Sequence, residues 1–187
     1  AQAKTGSVAL VIGNSKYSWE SSLPNVKRDV ADVARRFQEL GLKTELLYDL
    51  DRAQMLQVIE KFRAMPGDGE FGVVYYAGHG ANWGEDTYAV PVDADLSAAR
   101  VDNLVNLQQL NDAIGKLPHR LRIFDACRNN PADGWRQKQA QDASQVQGRI
   151  VRENARKFPN WLYLFSAAPG SVALDGPAAQ NTNPRMR

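Results

Sequence analysis

Short apolar runs alternate along this chain with segments whose apolar residues recur at helical spacing, and that alternation predicts an α/β domain with a mainly parallel sheet. Val8 to Ile12 is apolar throughout, as a strand buried on both faces requires. Val26, Val30, Val33, Ala34 and Phe37 then fall on one side of a helix running to Leu40, where Gly41 stops it. Thr44 to Tyr48 forms a second strand, and Asp51 caps a second helix through Met55, Val58, Ile59 and Phe62 that ends before Pro66. A third strand starts at Phe71 and closes on Gly78-His79-Gly80. Gly84 to Asp93 reads as a polar hairpin, and Leu107, Leu110, Ala113, Ile114 and Leu117 form the stripe of a third helix. The fourth strand begins at Leu121 and runs into Asp125-Ala126-Cys127, and Trp161 to Phe165 supplies a fifth.

Between Pro131 and Asn160 the chain becomes polar and rich in glutamine and arginine, with Gln137, Gln139, Gln141, Gln145 and Gln147. Ala140 to Arg156 contains no breaker except Gly148 and reads as a solvated helix. At 187 residues and 43% hydrophobic, the chain suits one domain with a sizeable core. The net charge of +2 comes from lysines and arginines interleaved with acids, so there is no clustered basic face for nucleic acid. A single cysteine excludes an internal disulfide, and no apolar run approaches the ~20 residues of a membrane span. Ala1-Gln2-Ala3 has the small-x-small pattern that signal peptidases cut after, and is equally a flexible leader; cytoplasmic and exported locations both stay open.

Chemistry concentrates where two strands end. Cys127 follows an apolar run and precedes the polar loop Arg128-Asn129-Asn130-Pro131, which sets a thiol at the rim of a sheet rather than in its core. His79, flanked by glycines, ends the third strand in the same way, so adjacent parallel strands would bring the two side chains together. A free thiol is mostly protonated at neutral pH, and a neighbouring imidazole supplies the base that generates the thiolate and the acid that protonates a leaving amine. His119 precedes its strand, which places it at the opposite end of a parallel sheet as a solvated loop residue.

These motifs resemble those of the caspase-like cysteine peptidases, and within them the metacaspases, paracaspases and bacterial orthocaspases. Tyr75-Tyr76-Ala77-Gly78-His79-Gly80 looks like the family's histidine motif and Asp125-Ala126-Cys127-Arg128-Asn129 like its nucleophile motif. Ala9-Leu10-Val11-Ile12-Gly13-Asn14 looks like its first strand. Leu23-Pro24-Asn25 leading into Arg28-Asp29-Val30, Val90-Pro91-Val92-Asp93 and Ala167-Ala168-Pro169-Gly170 also match. The likeness runs from about Ser7 to Gly176. It implies a three-layer α/β/α sandwich in which residues 1–6 are a leader, 7–131 a large-subunit region, 132–160 an inter-subunit linker and 161–187 the start of a small-subunit region. It also implies catalysis by His79 and Cys127, with the backbone amides of Gly80 and Cys127 as oxyanion donors.

Substrate choice, on the same resemblance, turns on Asp125 and Asp29. Animal caspases carry a neutral glutamine in place of Asp125, whereas a carboxylate there favours arginine or lysine before the scissile bond of a protein or peptide substrate. Asp29 taken alone is equally a first-turn helix acid. Ala77 stands where some metacaspases have a pocket serine, which leaves arginine against lysine open. Some metacaspases bind calcium, but Glu85, Asp86, Asp93 and Asp95 have the spacing of no compact calcium loop and read as solvated acids, so no metal or other cofactor is expected. Two alternatives remain: an aspartate-specific peptidase, and a non-catalytic scaffold that has kept the fold. Relatives carry further elements after Ser166-Ala167-Ala168-Pro169-Gly170. The expectation is therefore that the small-subunit region is incomplete, that the native polypeptide extends beyond Arg187 or has cut itself there, and that the open fifth strand pairs with the absent part or with a second copy of the chain.

Overall fold

The computed structural model describes residues 6–65, 68–83, 86–98, 100–126 and 161–165. Its main sheet has five strands, β1 (Val8–Gly13), β2 (Lys43–Tyr48), β3 (Phe71–Gly78), β7 (His119–Ala126) and β8 (Trp161–Phe165), in the order β2-β1-β3-β7-β8. All four pairings are parallel. From β1 the chain crosses first to β2 on one side and then to β3 on the other. The strand order therefore reverses between β1 and β3, and it is beyond the carboxyl ends at such a switch point that open α/β sheets bind their ligands.

Helix α1 (Val26–Glu39) covers one face, where Val26, Val30 and Ala34 pack against Val11, Tyr75 and Ala77. Helices α2 (Arg52–Arg63) and α3 (Leu107–Asp112) cover the other, in a larger core with Leu10, Ile12, Val74, Tyr76 and Phe124. Because side chains alternate along a strand, odd-numbered residues of β3 and β7 face α1, and even-numbered ones face α2 and α3. The rings of Tyr76 and Phe124 stack at 5.3 Å between centroids, binding the two strands on the α2–α3 face. Helix α2 starts where the sequence puts it. Asp51 Oδ1 accepts the Gln54 N–H at 2.8 Å and Gln54 Oε1 accepts the Asp51 N–H at 3.0 Å, a reciprocal cap.

Three expectations need correction. The hairpin begins at Gly80 rather than Gly84 and is largely buried: β4 (Gly80–Trp83) pairs antiparallel with β5 (Asp86–Ala89), which pairs with β6 (Val105–Asn106). Its polarity is only half of an alternation, since Ala81 and Tyr88 point into a second small core with Val90, Ala94, Leu96 and Leu104. Helix α3 is shorter than its apolar stripe. Beyond Asp112 the chain tightens into i to i+3 bonds, Ile114 N–H to Asn111 O at 3.1 Å and Leu117 N–H to Ile114 O at 3.1 Å, which keep the apolar residues buried up to Pro118. His119 is the first residue of β7 rather than a loop residue, though exposed and at the far end from His79 as expected. The solvated helix read over 140–156 lies outside the described residues, as do the linker, the 128–131 loop, residues 167–170 and Glu85.

Candidate active site

Three hydrogen bonds, one of them to a residue 62 positions away, fix His79 at the carboxyl end of β3. Its backbone N–H donates to Tyr17 Oη at 2.7 Å, and its carbonyl accepts from Tyr76 Oη at 2.8 Å and from the Val90 N–H at 3.1 Å. Its Nε2 lies 2.8 Å from the Ser21 carbonyl, and its ring tilts against that of Tyr17 at 4.5 Å. A carbonyl can only accept, so Nε2 carries the hydrogen and Nδ1 is left as the acceptor of the neutral ring. Gly78 makes the approach possible. A Cβ there would lie 2.5 Å from Tyr17 Oη, 2.7 Å from Tyr76 Oη and 3.0 Å from the Asn14 carbonyl.

The loop after β1 carries Tyr17 and Ser21 to the histidine, and two side chains hold that loop. Asn14, fully buried, accepts the Leu50 N–H on Oδ1 at 2.9 Å and donates from Nδ2 to the carbonyls of Val90 (3.1 Å) and Leu50 (3.3 Å). Asp49, at φ 52°, takes the left-handed turn after β2. Its Oδ1 accepts from Ser15 N–H (2.8 Å), Ser15 Oγ (3.1 Å) and Lys16 N–H (2.9 Å), while Oδ2 pairs with Lys27 Nζ at 2.7 Å. Burial alone would raise the Asp49 pKa. The Lys27 ammonium and the donors of Ser15 and Lys16 outweigh it and bring the carboxyl down to about 2.

Asp125 sits one residue before the end of β7, in register with Ala77 and on the α1 face. Tyr75 Oη, two residues back on β3 and on the same face, donates to Asp125 Oδ2 at 3.0 Å. Asp29 lies in the first turn of α1, one residue before Val30, which packs in one cluster with Tyr75 and Ala77. Burial raises the Tyr75 pKa, and the charges of Asp125 and then Asp29 add to the rise, so both carboxylates are within electrostatic reach of one phenol. Asp29 Oδ1 also accepts from Arg28 Nε and Nη2, each at 3.1 Å, in an exposed pair. Of the two acids proposed from sequence, Asp125 bonds directly to Tyr75, while Asp29 acts on that phenol only through its charge.

Cys127 lies outside the described residues. The residue before it, Ala126, pairs with Gly78, the residue before His79, on adjacent parallel strands. Among the acids weighed for calcium, Asp93 Oδ1 accepts the Arg52 N–H at 3.0 Å and Asp95 Oδ1 accepts from Ser97 Oγ and N–H at 2.6 and 2.9 Å. No group of three or more potential metal ligands occurs among the described residues, and no helix described there is long and apolar enough to cross a membrane. Tyr17, Asn14, Asp49 and Tyr75 escaped the sequence reading, because each acts through a partner distant in the chain. The one local signal was the double tyrosine beside Gly78-His79.

A family model described as the caspase domain matches residues 7–182. The chain is 31% identical over 123 residues to the mucosa-associated lymphoid tissue lymphoma translocation protein 1 of Homo sapiens, a match covering 65% of this chain and 15% of that protein. The homolog from Mus musculus is 32% identical over 126 residues, again 65% of this chain and 15% of the relative. The chain therefore spans only a small part of the length of these curated relatives.

Proposed function

The chain belongs to the caspase domain family, and from that premise we propose that it is a cysteine endopeptidase cleaving after arginine or lysine through His79 and Cys127. The reading rests above all on Asp125, held by Tyr75 on the face of the sheet that leads to the end of β3, with the charge of Asp29 felt at the same phenol. Carboxylates so placed attract a cationic side chain and repel an acidic one, which disfavours the aspartate-specific alternative.

In this mechanism Nδ1 of His79 takes the Cys127 thiol proton as the sulfur adds to the scissile carbonyl, and returns it to the departing amine; water then hydrolyses the acyl-enzyme. The bond from Nε2 to the Ser21 carbonyl supports this role, since it fixes the tautomer and steadies the imidazolium that forms. The oxyanion would sit on the amides of Gly80 and Cys127. In an antiparallel ladder successive amides point to opposite sides. With the Val90 N–H bonded to His79 O, the Gly80 N–H is turned away from β5, which suits a donor role. We assign the chain to the metacaspase, paracaspase and orthocaspase side of the family because Asp125 replaces the glutamine of animal caspases.

The experiment pairs fluorogenic peptides ending in arginine, lysine or aspartate with mass spectrometry of the thiol after an arginyl chloromethylketone. Cleavage of the two basic peptides and a single adduct on Cys127 are expected. Cleavage of the aspartyl peptide alone would overturn the specificity, and an unlabelled, inactive protein would point to a scaffold instead.

A further inference from the structure

The hydroxyl of Tyr75 has no part in the mechanism, yet it is placed with more constraint than either acid. Tyr75 is buried among Val26, Val30 and Ala77, while its Oη reaches across to β7 and donates to Asp125 Oδ2 at 3.0 Å. The register fixes this reach: Tyr75 lies opposite Ile123 and Ala77 opposite Asp125, so the phenol spans one same-face step along the paired strands. A carboxylate is otherwise loosely held about its last torsion. One donor fixed on Oδ2 sets the plane of the group and leaves Oδ1 and the second lone pair of Oδ2 available. Burial and the two neighbouring carboxylates keep the phenol protonated, so it remains a donor at every pH at which the protein would work.

Resting on the proposed basic pocket, we infer that Tyr75 is a specificity-determining residue that orients Asp125 and thereby favours arginine over lysine before the scissile bond. A guanidinium is a planar fork that engages a carboxylate through two parallel hydrogen bonds, and it gains only if the carboxylate plane is already aligned with it. An ammonium is a compact charge with rotatable donors, and it is nearly indifferent to that plane. Tyr75 therefore acts as a positioning residue, through Asp125 rather than by touching the substrate.

The test measures kcat/KM for matched arginyl and lysyl peptides with the full chain, in the wild type, Tyr75→Phe, Asp125→Asn and the double variant. In Tyr75→Phe the arginine-to-lysine ratio should fall about five- to tenfold, mostly through KM of the arginyl peptide, with the thermal midpoint little changed. In the Asp125→Asn background the same replacement should leave the ratio where it is, because the hydroxyl has no charged partner left to orient. Asp125→Glu keeps the charge but carries the carboxylate past the hydroxyl. It should lower the ratio in the same way, and it decides the matter should Tyr75→Phe fail to fold. An unchanged ratio in Tyr75→Phe, beside a collapse of arginyl cleavage in Asp125→Asn, would overturn the role of Tyr75 and leave the pocket standing. Additive effects in the double variant would also overturn it. Arginyl cleavage that survives Asp125→Asn undiminished would remove the pocket itself.

Discussion

Around His79, Tyr17 fixes the backbone amide, Ser21 the ring, and Tyr76 with Val90 the carbonyl. Cys127→Ala should abolish peptide hydrolysis with an unaltered melting curve, since it deletes the proposed nucleophile and little volume; substantial turnover by the purified variant would sink the peptidase reading. His79→Ala should be nearly as severe. Tyr17→Phe tests the support. It keeps the ring against the imidazole but leaves the His79 N–H without its 2.7 Å acceptor, so stability should fall by about 1–2 kcal/mol and kcat several-fold. Activity equal to wild type would show that the loop does not need this bond. His79 and Asp125, singled out in the sequence, stand in short motifs at the ends of β3 and β7. Tyr17, Asn14 and Tyr75 became legible only once β1, β3 and β7 lay side by side, because their hydrogen bonds join segments that the chain order keeps apart.

Among the elements, strands β1, β3 and β8 and helices α1 and α2 follow the periodicity of their own residues closely. For β1 and β3 that agreement reflects burial on both faces of a parallel sheet, which demands continuous apolar runs, whereas β8 ends the described strand order with Leu162 and Leu164 exposed. The hairpin and α3 departed from it where a second core and a tightening turn, neither visible locally, took over. The loop between β1 and α1 depends on Asp49, and that dependence has a pH signature. Its carboxyl is depressed from 3.8 to about 2, so the folded state holds this proton less tightly than the unfolded chain does. The resulting stability is present in full above about pH 4 and is lost as pH falls towards about 2. Asp49→Asn should cost about 1 kcal/mol near neutrality, once solvent screening is allowed for, and should flatten the acid limb of a stability curve over that window. A variant whose acid limb matches wild type would show that the loop is held by other contacts. At α2, Asp51→Ala should cost about 1 kcal/mol by opening the reciprocal cap, measurable as a lower denaturation midpoint with an unchanged slope.

Taken across the whole molecule, the sheet divides its two faces between different tasks. The α1 face carries Tyr75, Asp125 and the approach to Asp29, whereas the opposite face holds the larger core and one buried charge. Arg122, only 4% exposed, donates from Nη1 to Asn111 Oδ1 at 3.0 Å and to the Leu107 carbonyl at 3.2 Å, which ties β7 to α3. Nothing in the run Leu121-Arg122-Ile123-Phe124 marks that arginine as buried. The even-numbered face of β7 becomes an interior only when α3 is laid over it, so its burial is a property of the assembled layers. If the two faces are energetically separate, a change at Arg122 should alter stability without altering specificity. Arg122→Ala removes both hydrogen bonds and the packed stem, and should lower stability by about 2–4 kcal/mol, or roughly 5–10 °C in the thermal midpoint. At a temperature where the variant is folded, its arginine-to-lysine ratio in kcat/KM should equal that of wild type, because Asp125 and Tyr75 lie across the sheet. A shifted ratio with intact folding would mean instead that β7 transmits strain along its length from the α3 face to the pocket, and the division between the faces would have to be abandoned.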